Sequence, residues 1–187
     1  VVGKLHEIAA LMPPPSAPDL AKDAEWRSAE EHFGSVLPPD YREFLACYGE
    51  GIIDEYLMIL GPRFRNGVSG IVRSNRDVLS ALASVVPGSR AGFPVALESK
   101  VGGVVLWGCT EDGDYCFWRC LGDDPQGWTT VVYSRHFDDW EEYPCGFSEF
   151  LLLLLSGSLD RPFYRSVFPE STSYVSATQN LARLLGE

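Results

Sequence analysis

Three apolar runs, Val101–Cys109, Asp114–Leu121 and Thr129–Ser134, are separated only by Glu111-Asp112-Gly113-Asp114 and by Gly122-Asp123-Asp124-Pro125-Gln126-Gly127. Parallel strands need a crossover of a dozen or more residues, so connections this short require antiparallel pairing. Asp112-Gly113 is a strong hairpin signal, because glycine takes the positive φ that a tight turn needs. The middle of the chain is therefore read as an antiparallel sheet.

Helical spacing flanks this block on both sides. Leu5, Ile8, Ala9 and Met12 predict a short helix over residues 4–12, and the stiff spacer Pro13-Pro14-Pro15-Ser16-Ala17-Pro18 ends it. Asp23 is placed to cap a helix that runs to Phe33 and stops at Gly34, with Trp26, Ala29 and Phe33 inward. Leu37-Pro38-Pro39-Asp40 opens the next helix, whose apolar stripe is Tyr41, Phe44, Leu45 and Tyr48. Ile52–Leu60 reads as one or two short strands. Asn75–Val86 reads as a helix capped by Ser74 and closed by Pro87-Gly88, Phe147–Leu155 as another, and residues 176–185 as a last one. Helices segregated from one sheet make an α+β fold: a single domain with a mainly antiparallel sheet and helices at its N-terminal and C-terminal sides. Residues 1–22 form a lead, 23–160 the domain and 161–187 a C-terminal extension. At 187 residues the chain suits one substantial domain.

Charge narrows the function. Fifteen Lys and Arg against 26 Asp and Glu give a net charge of −11. A phosphate backbone needs clustered cations, so nucleic acid is not the expected partner. A polybasic hold on an anionic membrane is excluded likewise, and no apolar run reaches the roughly 18 residues of a membrane span. Residues 1–12 do not read as a signal peptide. Five cysteines in a chain this long are not a disulfide framework, and the expected compartment is the cytoplasm.

The candidate chemistries are weak. Cys109, Cys116 and Cys120 lack a paired C-x2-C and a nearby His, so buried thiols are expected rather than a metal site. Ser134, His136 and Asp138 alternate along one strand-like stretch, which spaces them about 7 Å apart, poorly for a triad. Cys47 with His32 reads as a packed thiol and a surface histidine. No phosphate-cradling glycine motif is present. No catalytic residue, metal ligand or cofactor is expected.

The acids are the clearest signal. From Glu111 to Glu149 stand ten acids against Arg119 and Arg135, a net of −8. Most fall in turns, which predicts that several share one rim of the sheet, with Trp128, Trp140 and Tyr143 interleaved. Aromatic anchors beside a charged rim suit a protein interface. The candidate contact face is Asp112, Asp114, Asp123, Asp124, Asp138, Asp139, Glu141 and Glu142, with Trp128 and Trp140 as anchors. A solvated acidic surface with its tryptophans turned inward fits the same pattern, and the residues alone leave both readings open.

Trp26–Gly51, WRSAEEHFGSVLPPDYREFLACYGEG, resembles the opening signature of the SMI1/KNR4 family, or SUKH superfamily: an acidic helix ending in glycine, Leu-Pro-x-Asp-Tyr, a helix ending in Phe-Leu and a Tyr-Gly turn. Val105–Trp118, VLWGCTEDGDYCFW, is similar to the family's central hairpin, and residues 128–132 and 146–157 to its next strand and closing helix. The resemblance implies an α+β domain without catalytic residues. It implies structural roles for Trp26, Leu37, Pro38, Tyr41, Phe44, Leu45 and Gly49. Many bacterial members are immunity proteins that bind and block a toxin domain, often a nuclease. Others are regulatory interaction modules. The expected partner is accordingly a cognate toxin, a basic nuclease domain, met by a monomer or homodimer.

Overall fold

The structure, a computed structural model, describes residues 2–65, 67–85, 96, 102–136, 138–160, 162–165 and 167–185. The predicted Pro87-Gly88 helix end lies outside the described residues. Helices α1 (Val2–Leu11), α2 (Asp23–Phe33) and α3 (Pro39–Tyr48) come first. Hairpin β1 (Gly51–Ile53) and β2 (Leu57–Ile59), the small ribbon β3 (Phe64–Arg65) and β4 (Val68–Ser69), and helix α4 (Gly70–Val85) follow. Then come β5 (Val104–Thr110), β6 (Tyr115–Arg119), β7 (Thr129–Ser134), β8 (Asp139–Tyr143), α5 (Phe147–Leu155), β9 (Tyr174–Ser176) and α6 (Ala177–Leu185).

The main sheet has seven strands in the order β8-β7-β6-β5-β2-β1-β9, each pair antiparallel. The fold is α+β with helices at its N-terminal and C-terminal sides, as the short connections require. Lys22, not Asp23, takes the cap position of α2, and the Glu25 carboxylate accepts the Lys22 backbone N–H at 2.7 Å. Gly34 ends α2 at φ 69°, where a side chain would be strained. Helix α4 begins at Gly70, a turn earlier than the sequence predicts. Four strands escape the sequence reading: the two-residue β3 and β4, and two in the main sheet. β8 is Asp-Trp-Glu-Glu-Tyr, acids that score poorly as strand formers but protect a sheet edge from unwanted pairing. β9 joins residues 174–176 to the far edge through β1.

The core lies between the sheet and α1, α3 and α5. Trp118 and Trp107 are fully buried; Trp118 packs edge-on to Tyr41, and Trp107 on Phe147 and Phe150. Tyr41 donates its hydroxyl to the Leu60 carbonyl, which satisfies the one polar atom that its burial carries inward. Strand β2 pairs with β5 only as far as Gly108, and on the other side of β5 the register with β6 slips at Leu106/Gly108. Beyond that point the carboxamide of buried Asn75 replaces a strand: Leu106 N–H donates to Oδ1 at 2.7 Å, and Nδ2 donates to the Leu106 carbonyl at 2.9 Å.

Candidate protein-interaction surface

Sheet topology decides where the acids fall. The turns β1–β2, β5–β6 and β7–β8 meet at one end of the sheet, and the β6–β7 loop lies at the other. Asp112 and Asp114 therefore sit about 17 Å, the length of five-residue β6, from Asp123 and Asp124. Several of the acids, Asp112, Asp114 and Asp138 among them, share the first end, while Asp123 and Asp124 lie at the other. Alternating hairpin turns must take opposite ends, which composition alone does not reveal.

At the first end much of the acidity is turned inward. Asp114 is fully buried and accepts from Ser134 Oγ at 3.1 Å, Arg135 N at 3.1 Å and Tyr164 N at 3.0 Å. It anchors the chain after α5 to the sheet and leaves the contact face. Asp112 accepts from the Tyr56 hydroxyl at 3.0 Å. Asp138, at φ 50°, accepts from the Tyr133 hydroxyl at 3.2 Å, and burial together with this bond raises the Tyr133 pKa. Asp54 and Glu55, which the sequence reading passed over, belong to the same end. Asp54 accepts from Glu170 N at 2.8 Å and Ser171 Oγ at 2.6 Å, and Glu55 pairs with Arg183 at 3.1 Å. Their signal was a polar pair between Ile53 and Tyr56, the mark of a hairpin turn.

At the second end Asp123 and Asp124 are exposed, and Asp124 caps the 3-10 turn Pro125–Gly127 through Gln126 N at 3.0 Å. Trp128 is only 2% exposed, and its Nε1 donates to the Gly122 carbonyl at 3.1 Å. It is a core residue rather than a protruding anchor, since loop Gly122–Gly127 folds over it. Trp140 is half-buried against Tyr133, ring centres 4.3 Å apart.

Strand β8 presents the remaining acids. Its outer side has no strand neighbour among the described residues. Asp139 and Glu141 point to the sheet face that carries α5, and Glu142 to the other, following the two-residue strand period. All three are exposed. Glu142 pairs with Arg119 and accepts from Thr129 Oγ1 at 2.7 Å.

The groups weighed for chemistry are otherwise engaged or buried, except Cys47, which is exposed rather than packed as expected because it falls on the outer side of α3. Ser134 is spent on Asp114, while His136 stacks on Tyr164 at 3.7 Å. Cys116 and Cys120 are buried, and burial pushes the Cys120 thiol up to about 12 and Cys109 to about 11. Among the described residues no group of three or more His, Cys, Asp or Glu is placed to hold a metal ion. Among them, too, no helix is long and apolar enough to cross a membrane.

A family model, SUKH_6, described as SMI1-KNR4 cell-wall, matches residues 23–151, from the start of α2 into α5. The chain belongs to the SMI1-KNR4 family. The SMI1-KNR4 match contains every acid of the candidate face and stops before β9 and α6. Neither curated proteins nor solved structures yield a match. Membership in the SMI1-KNR4 family is consistent with a protein–protein interaction module.

Proposed function

We propose that the chain is a non-catalytic immunity protein that binds and neutralises a cognate toxin, a basic nuclease domain. The observation that carries this reading is strand β8, which has no outer strand neighbour among the described residues and exposes Asp139, Glu141 and Glu142 within four residues. A nuclease presents cations to hold phosphates, and a row of carboxylates competes for that surface and speeds encounter. Asp123 and Asp124, on the other end of the sheet, extend the acidic field. Asp112 and Asp138 are half-buried and tied to tyrosines, so they contribute charge more than contact.

Affinity capture of the tagged chain, washed at low and high salt, tests for one stoichiometric basic partner, followed by a nuclease-inhibition assay. Reversing Asp139 and Glu141 to Lys together should slow association about tenfold or more at low salt and flatten its salt dependence. Unchanged association removes β8 from the contact. The family's cell-wall description supports a second reading, a regulatory interaction module without a toxin. Capture of several weakly held host proteins, with no inhibition of any nuclease, would favour it.

A further inference from the structure

From 156 to 173, between α5 and β9, the chain forms no helix or strand among the described residues. A connection that long inside a compact domain is uncommon, and is either functional or a disordered linker. This one is no linker, because it is pinned across the end of the sheet where the turns β1–β2 and β5–β6 meet. It lies outside the SMI1-KNR4 match, like a strap laid over the matched domain. Both of its ends are held independently of it. Helix α5 buries Phe147, Phe150 and Leu151, and the Tyr174 hydroxyl of β9 donates to the Gly49 carbonyl at 2.7 Å.

The strap is held as a partner peptide is held at an interface. Three of its backbone N–H groups donate to carboxylates of the turns: Tyr164 N to Asp114 at 3.0 Å, Glu170 N to Asp54 at 2.8 Å and Ser171 N to Asp54 at 3.2 Å. Its side chains supply aromatic and arginine anchors, the residue types that dominate protein interfaces. Phe163 and Phe168 pack against the Tyr56 ring, with centres 6.1 and 4.9 Å away. The Arg165 guanidinium lies over that ring, 4.9 Å from its centre, and 3.9 Å from the Asp54 carboxylate. An aromatic face beside a carboxylate suits a guanidinium, which stacks on the one and pairs with the other. Asp112 accepts from the Tyr56 hydroxyl at 3.0 Å and fixes the ring. Asp54 stands at φ 51°, a strained conformation of the kind that clusters at ligand clamps. Tyr56 and Asp54 belong to the matched domain, and the guanidinium they hold comes from outside it.

We propose that this end of the sheet is a docking site for an arginine-bearing segment of a partner polypeptide, and that Phe163, Arg165 and Phe168 fill it as an intramolecular stand-in that the partner displaces. The net charge of −11 favours a cationic segment there. The site goes beyond the β8 contact and does not require that the partner be a nuclease.

The test uses the full chain carrying Arg165→Ala, which loosens the strap and leaves Asp54, Tyr56 and Asp112 in place. Exchange of the Glu170 and Ser171 amides should speed up about tenfold, with the amides of β6 and β7 unchanged. The probe is a fluorescently labelled peptide of residues 162–171, Pro-Phe-Tyr-Arg-Ser-Val-Phe-Pro-Glu-Ser, followed by anisotropy. It should bind the Arg165→Ala chain saturably, with a Kd on the order of 100 μM. The unsubstituted chain should bind it at least threefold more weakly, because its own strap competes at an effective concentration of about 1 mM. Replacing the peptide's arginine with alanine should weaken binding at least fivefold, and Asp54→Asn in the loosened chain at least threefold. Ser171→Ala, a second loosening variant, should act in the same direction as Arg165→Ala. Unchanged exchange in both loosening variants, no saturable binding, or equal affinity for the alanine peptide would overturn the proposal. The probe contains no nuclease sequence, so this experiment and the capture of a toxin succeed or fail independently.

Discussion

Replacing Asn75 with Leu tests how the sheet is completed where β2 runs out. The substitution keeps size and burial but removes the carboxamide that pairs both backbone groups of Leu106. A third bond, from Nδ2 to the Ile71 carbonyl at 2.9 Å, lies within α4 and matters less, because that carbonyl is also within the helix ladder. Two buried backbone groups are left without partners, at about 1–3 kcal/mol each, so the loss should be about 4 kcal/mol. Leucine is the better helix former, so intrinsic propensity opposes this loss and cannot explain it. Urea unfolding followed by tryptophan fluorescence should show the midpoint falling by roughly 2 M, for a slope of about 2 kcal/mol per M. Arg76→Ala, on the exposed next position of α4, should stay within about 0.5 kcal/mol. A loss below about 1 kcal/mol in Asn75→Leu, with the Leu106 amide still protected from hydrogen exchange, would refute the reasoning.

Further expectations concern thiols, pH and the anchored chain end. At pH 8 a thiol reagent should modify Cys47, which is exposed, rapidly and the other four slowly, since burial raises Cys109 and Cys145 to about 11 and Cys120 to about 12; a second fast thiol would contradict this. Burial also lifts Tyr48 to about 12 from an ordinary 10. Raised values mean that the unfolded chain releases these protons first, so the melting temperature should hold below pH 8.5 and fall between about 9 and 12; a flat profile to pH 12 would disprove the linkage. Asp114→Ala removes the acceptor of Ser134, Arg135 and Tyr164 and should cost roughly 3 kcal/mol or more, with faster exchange of the Tyr164 amide; unchanged Tyr164 exchange would show that Asp114 does not hold that segment.

The antiparallel run β5–β6–β7 and five of the six helices were legible with near-correct bounds because their causes are local. Asp112-Gly113 makes its turn within four residues, and the stripe Tyr41, Phe44, Leu45, Tyr48 is a property of one helix. Helix α4 was legible in kind, though its first turn was not. Strand β8 was not legible, because its acids are chosen for the edge rather than for strand propensity. Strand β9 was not legible either, because three residues carry too little pattern to show that they pair with β1 across 120 positions of chain.

The candidate surface shows the same division. Sequence alone established that the stretch from Glu111 to Glu149 is strongly acidic, and that nothing in it has the spacing of a metal or catalytic site. Only tertiary structure decided which acids face water. Asp112, Asp114, Asp123 and Asp124 are the same kind of turn residue in sequence, yet Asp114 lies under Tyr164 while Asp123 and Asp124 are exposed. Charge and turn chemistry are set by neighbours within a few residues. Burial is set by which distant segment the sheet brings alongside, and for Asp114 that segment is fifty residues away.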